Sequence, residues 1–267
     1  MKLGPAAARA AWYAYWNAMR TYHRFEVRGL DRVERAGSSL IVGYHGRAVA
    51  HDMCMLMSLL HERSGAEVRA IIHRSVMSAP VLQWMPQGLG FIAGDSEEEM
   101  RPLLARGESL MVTPGGSLEG CRSFRDRYEV RWRERHGYLR LALRYHLPII
   151  PTAGTGVDDT YIGLNDGYTL GKKLGLPGSL PLWLAFGATG VWPVTLPFPV
   201  KIVCHVGEPI DLEADGPVDP GNRPALGRLH QRVVDAVQGL LDAARGKPPA
   251  RLTAGAPTLP GDEKHDG

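Results

Sequence analysis

The sharpest chemical pair in this 267-residue sequence lies in Tyr44-His45-Gly46-Arg47-Ala48-Val49-Ala50-His51-Asp52. The apolar run Ser39-Leu40-Ile41-Val42-Gly43 reads as a buried strand that delivers His45 at its end. Asp52 stands where the next segment opens as a helix. A carboxylate accepting from one ring nitrogen fixes the tautomer and makes the other nitrogen a better base. Gly46 permits a tight departure from the strand. The plainer alternative is a loop histidine and a helix-capping aspartate. His51 is a rival base, but neighbours at i and i+1 on a helix do not face each other, so Asp52 would not serve it.

A second cluster is Thr113-Pro114-Gly115-Gly116-Ser117-Leu118-Glu119-Gly120. Paired glycines after a strand leave backbone N–H groups accessible to an oxyanion or a phosphate. A simple turn is the competing reading. The segment misses the nucleophile elbow G-x-S-x-G, because Glu119 stands where a glycine is required, so a serine hydrolase is not supported. Third is a dense arginine segment: Arg122, Arg125, Arg127, Arg131, Arg133, Arg135, Arg140 and Arg144. Against three acids it carries a local +5, above the +3 of the whole chain. That patch suits the phosphates of a nucleotide-bearing donor or an anionic membrane, although a solvated face is the ordinary explanation for most of it. Gly88-Leu89-Gly90-Phe91-Ile92-Ala93 matches G-x-G-x-x-A, but its glycines precede a strand and the dinucleotide geometry fails. No Cys/His group has zinc spacing, so no metal is expected.

These groups need a frame. The pattern predicts helices over 5–22, 52–62, 95–106, 132–145 and 225–244. Strands are expected near 25–29, 39–43, 70–72, 91–93, 110–113, 149–152 and 201–206. Strands alternating with helices indicate an α/β domain with a mostly parallel or mixed central sheet flanked by helices. Residues 1–22 read as an N-terminal amphipathic helix, 23–245 as the main domain, and 246–267 as a disordered tail rich in Pro, Gly and charge. Trp12, Tyr13, Tyr15, Trp16, Met19 and Tyr22 crowd the first helix. Such side chains settle at a lipid–water boundary or pack on a core.

Composition narrows the class. A near-neutral chain that is 44% apolar is neither a basic nucleic-acid binder nor a disordered chain. Three scattered cysteines make no disulfide framework and suggest a reducing compartment. The first twenty residues lack the continuous apolar run of a secretory signal. Leu174 to Val200 holds no charge, yet five prolines leave only Leu182 to Trp192 unbroken. Eleven helical residues rise about 16 Å, roughly half a bilayer core. Trp183, Phe186, Trp192 and Phe198 suit a surface that dips among headgroups without crossing.

The order of pieces resembles the PlsC-type glycerolipid acyltransferase superfamily. It runs Phe25-Glu26-Val27-Arg28-Gly29-Leu30, then Leu40 to His45 with Asp52. Gly88-Leu89-Gly90-Phe91-Ile92, Thr113-Pro114-Gly115-Gly116 and Leu147-Pro148-Ile149-Ile150-Pro151 follow. The resemblance implies a single PlsC-like domain behind an interfacial helix. It also implies transfer of a fatty acyl group from acyl-CoA or acyl carrier protein to a lipid hydroxyl, with no bound cofactor, no metal and no nucleic acid. The site would be a peripheral one at the cytoplasmic face of a membrane. By analogy His45 is the general base and Asp52 orients it, while Gly46, Arg47, Pro114, Gly115, Gly116, Glu119 and Arg122 line the substrate. The family's spacing is H-x4-D; here it is H-x6-D, so the loop must bulge by two residues. Leu118 stands where phosphate-acceptor members carry an arginine. The Pro-Gly-Gly form is closer to the diacylglycerol acyltransferase branch, which implies a neutral acceptor such as mono- or diacylglycerol. With Arg122 as a substitute, lysophosphatidic acid becomes the alternative acceptor. A non-catalytic lipid-binding protein on the same fold is the rival from another class.

Overall fold

Every residue of strand β2 (Leu40–Gly43) is buried, as an unbroken apolar run in a sheet covered on both faces requires. In the computed structural model, which describes residues 4–65, 68–72, 91–93, 96–175 and 181–247, β2 lies at the middle of the main sheet. The other strands are β1 (Glu26–Arg28), β3 (Val68–Ile72), β4 (Ile92–Ala93), β5 (Ser109–Val112), β6 (Ile149–Thr155) and β10 (Val203–Val206). Their order is β1-β10-β6-β2-β5-β3-β4. Every pairing is parallel except β10 with β6. The expected mixed, mostly parallel sheet is therefore present. The Gly88–Gly90 motif and the expected tail beyond Lys247 lie outside the described residues.

Alternation along the strands divides the core. Leu40, Val42, Leu110 and Ile149 face α6 (Gly137–Arg144) and α8 (Arg223–Ala244), meeting Leu139, Leu143, Val233 and Val237. Ile41, Met111, Ile150 and Cys204 face α2 (Leu30–Ala36) and α3 (His51–Ser64), meeting Val33, Met53 and Leu56. Two shorter helices, α4 (Glu97–Ala105) and α5 (Gly116–Gly120), flank β5 in the chain. Among the described residues no helix is long and apolar enough to cross a membrane.

Two expectations need correction, and one alternative left open is decided. The helix predicted from Trp132 starts at Gly137, because Arg133 takes a left-handed backbone (φ 51°) and Trp132 points its indole into the protein. The first helix, α1 (Pro5–Tyr22), turns Trp16 and Met19 into the core and packs Trp12 against it; Tyr15 is the aromatic it leaves exposed. The uncharged stretch is partly a sheet that the sequence reading missed. Strands β7 (Ile162–Gly163), β8 (Ala185–Gly187) and β9 (Gly190–Val191) pair antiparallel, and α7 (Gly167–Lys173) follows β7. Trp183, expected to dip among headgroups, is buried with Tyr161, Cys121 and Ala185.

Candidate active site

The parallel strands β2 and β5 both end at one edge of the sheet, where doubly wound folds bind their ligands. Tyr44-His45 leaves β2 there, and Thr113-Pro114-Gly115 leaves β5. The backbone N–H of His45 donates to Glu119 Oε2 at 2.9 Å. Glu119 also accepts from the Arg131 N–H at 2.8 Å and the Trp132 indole at 3.1 Å. Its carboxylate thus ties the histidine turn to the arginine segment and is itself fully buried. Gly120 leaves room for the ring: a Cβ there would lie 2.8 Å from His45 Nδ1. Burial, then the nearby Arg122 charge, pushes the His45 pKa down to about 4. The ring is neutral at physiological pH and competent as a base.

Asp52 does not meet it. Both carboxylate oxygens and His45 Nδ1 lack hydrogen-bond partners. The reason is local. Ala50 adopts a left-handed backbone (φ 49°), and α3 begins at His51. Asp52 then faces β6, where a Cβ on Gly154 would lie 2.3 Å from its Oδ2. Burial raises its pKa to about 7. The two-residue excess in H-x6-D is taken up by a turn ahead of the helix, closed by the Ala50 N–H onto the Arg47 carbonyl at 2.8 Å, and the expected pair stays open. His51, the rival base, packs edge-on to Trp16 and His23, with centroids 5.5 and 5.7 Å away.

Arg122, expected to touch substrate, is instead enclosed. Its guanidinium donates to Asp158 Oδ1 at 3.2 Å, to the Glu129 carbonyl at 2.7 Å and to the Tyr44 hydroxyl, and lies over the Tyr44 ring. Arg47 is likewise buried; it donates to the carbonyls of Asp158 at 2.8 Å and Arg122 at 3.0 Å. Glu119, Arg47 and Arg122 therefore position the His45 turn. Gly46 sits against Val157, and the Gly116 N–H, expected to be free, closes a turn onto Thr113. The Pro114 and Gly115 carbonyls accept from Arg135 at 2.8 and 3.1 Å, which fixes the loop beside the site. Among the described residues no cluster of three His, Cys, Asp or Glu side chains is placed to hold a metal.

Residues 24–154, spanning β1 through β6, match the acyltransferase family model. An uncharacterized protein of Mycobacterium tuberculosis is 31% identical over 83% of this chain and 62% of its own length. Residues 24–154 of the chain belong to the acyltransferase family. The bovine and human "DGAT1/2-independent enzyme synthesizing storage lipids" are 27% and 26% identical to this chain, again over 83% of it. It spans about 62% of the length of the mycobacterial relative and 60% of the bovine one. Among solved structures, the 1-acyl-sn-glycerophosphate acyltransferase PlsC of Thermotoga maritima shares the fold. Its TM-score is 0.50 at 15% identity, over 89% of this chain and 80% of that one.

Two features escaped sequence reasoning, one behind the His45 turn and one lined by none of that turn's residues. Asp158 follows β6 in a short 3-10 turn and anchors Arg47, Arg122, Tyr44 and the Tyr128 N–H. Its signal was faint: an acid just past a strand that ends at the same sheet edge. The other is a cavity of about 960 Å3, whose wall includes Arg131, Arg133, Arg140 and Arg223 beside Trp132 and His230. Arg223 comes from α8, 79 residues beyond Arg144 at the end of the arginine segment, so spacing could not have added it.

Proposed function

We propose that this chain transfers a fatty acyl group from acyl-CoA to the hydroxyl of a neutral glycerolipid, with His45 as general base. The observation that carries the reading is the neutral His45 ring, set at the end of β2 and anchored through its backbone to Glu119. The acceptor hydroxyl gives its proton to the imidazole as its oxygen bonds to the thioester carbon. The C–S bond then breaks, and the imidazolium returns the proton to the departing thiolate. Asp52 orients the ring once the pair closes; catalytic hydrogen bonds in unliganded sites are commonly open and tighten with substrate. The arginine-lined cavity supports acyl-CoA over an acyl carrier protein. Its arginines suit the phosphates of a nucleotide, and its size falls at the upper end of small-molecule sites. The neutral acceptor is supported by Leu118 in the arginine position and by the commitment of Arg122 to internal partners. The names of the mammalian relatives point the same way, while that of the Thermotoga structure supports lysophosphatidic acid as the alternative.

The open His45–Asp52 pair favours a second reading, a lipid-binding protein without turnover. One assay separates these. Labelled acyl-CoA is offered with diacylglycerol, monoacylglycerol or lysophosphatidic acid to the wild type and to His45→Ala. Transfer to a neutral acceptor that falls at least about 100-fold in His45→Ala is expected. Preference for lysophosphatidic acid overturns the acceptor. Transfer undiminished in His45→Ala overturns the base, and bound lipid with no transfer leaves the binder.

A further inference from the structure

We propose that the outer face of the β7-β8-β9 sheet is the surface on which this chain docks to an anionic phospholipid bilayer, a proposal that rests on the reading of its substrates as lipids. Large exposed apolar side chains are concentrated there. Among the described residues, all of them except Tyr15 lie between Ile162 and Leu196. The register makes them one face. Ile162 pairs with Phe186 and Phe186 with Val191, so the three form a row across the sheet, exposed by 40%, 41% and 37%. Leading into β8, Leu182 and Leu184 alternate with buried Trp183 and Ala185 and add to the same side. Beyond β9, Val194 is 88% exposed. Contiguous patches of this kind on a soluble surface mark interaction sites.

Charge selects the occupant. No charged residue falls between Leu174 and Val200, and cations stand at both ends of that stretch. Lys172 and Lys173 close α7, which leaves the edge of this sheet through the hydrogen bond from Leu182 N–H to the Gly167 carbonyl, 2.9 Å. On the other side Arg24 donates to the Pro199 carbonyl at 2.9 Å. An uncharged apolar face whose segment is flanked in the chain by cations complements an anionic headgroup layer over a hydrocarbon core. A second relationship ties the face to the chemistry. Trp183, on the inner side of the segment leading into β8, donates to the Arg122 carbonyl at 3.0 Å and lies 5.7 Å from the Arg47 guanidinium. The outer face is therefore linked to the His45 turn through Trp183 and Arg47.

The test is cosedimentation of the full chain with vesicles of equimolar phosphatidylcholine and phosphatidylglycerol, each variant being checked by circular dichroism. The wild type is expected to bind. Leu184→Glu/Phe186→Glu should weaken binding at least about tenfold by placing charge in the buried face. Lys172→Glu/Lys173→Glu should weaken it on these vesicles and leave binding to pure phosphatidylcholine unchanged. If the apolar double variant loses its fold, Val194→Glu at the exposed tip gives the same readout. A wild type that stays in solution, or a folded variant that binds like it, overturns the proposal. So does a wild-type dimer that the double variant dissolves in sedimentation velocity, since the face is then a protein interface. Binding requires no turnover: a chain that binds through this face but transfers no acyl group sustains the surface and refutes the activity.

Discussion

Arg122 and Asp158 form an ion pair at 3.2 Å with both side chains out of solvent, across 36 residues of chain. Asp158 also receives Arg47 at 3.6 Å, so one carboxylate compensates two buried guanidinium groups. Removing one partner of a buried pair is far costlier than the net worth of the pair, because the other charge stays desolvated.

Asp158→Ala should therefore lower stability by about 3–5 kcal/mol. Asp158→Asn should be milder because it keeps part of the hydrogen bonding. Urea unfolding at neutral pH checks both, and equal, small effects would show that the clamp contributes little.

The pH profile of transfer should rise through about pH 7 with Asp52, whose buried carboxyl titrates at about 7, and not with His45, which is neutral above about 4. In Asp52→Asn that limb should shrink at a reduced overall rate, leaving only the share of Glu119, whose buried carboxyl is likewise raised to about 7. A limb near the ordinary histidine value that persists in Asp52→Asn would return the titration to His45.

Asp52 also makes a prediction about stability. Its native pKa, about 7, is raised above the 3.8 of the free group. The native state therefore holds a proton that the unfolded state has lost between those values, and stability declines as pH rises from about 4 to 7. Asp52→Asn removes that loss. Its advantage over the wild type should grow across this window toward about 4 kcal/mol and stay flat above it. Paired denaturant titrations at acid and neutral pH measure the difference.

Gly120→Ala should displace the His45 ring, since the new methyl would sit 2.8 Å from Nδ1 and 3.1 Å from the Arg47 carbonyl carbon. Misplacement of that order costs about 100-fold in kcat. Gly239→Ala, in open space on α8, is the control and should leave kcat unchanged.

Arg133→Glu/Arg223→Glu, on the cavity wall, should raise KM for acyl-CoA about tenfold by removing phosphate contacts. The rate with an acyl-pantetheine thioester, which lacks the nucleotide, should not change. Equal effects on both donors would place the nucleotide elsewhere.

Much of this molecule was set by local sequence. The apolar run 40–43 is a central strand because nothing polar in it needs water. The first helix is bounded as its Pro5 start and periodicity indicate, and the mostly parallel sheet follows from alternating elements. The position of His45 at a strand end was legible too. Partner and direction were not. Whether Asp52 meets His45 depends on where α3 begins, which a left-handed Ala50 decides, and an alanine gives no sign in the sequence of that backbone. Arg122 is equally basic in a solvated patch or a buried clamp; Asp158 and Tyr44, distant in sequence, make it the latter. The uncharged stretch shows the same division. Composition marked it as greasy, but only pairing across β7, β8 and β9 turned Trp183 inward and Phe186 outward, because a strand's two faces are assigned by its neighbours and not by its own residues.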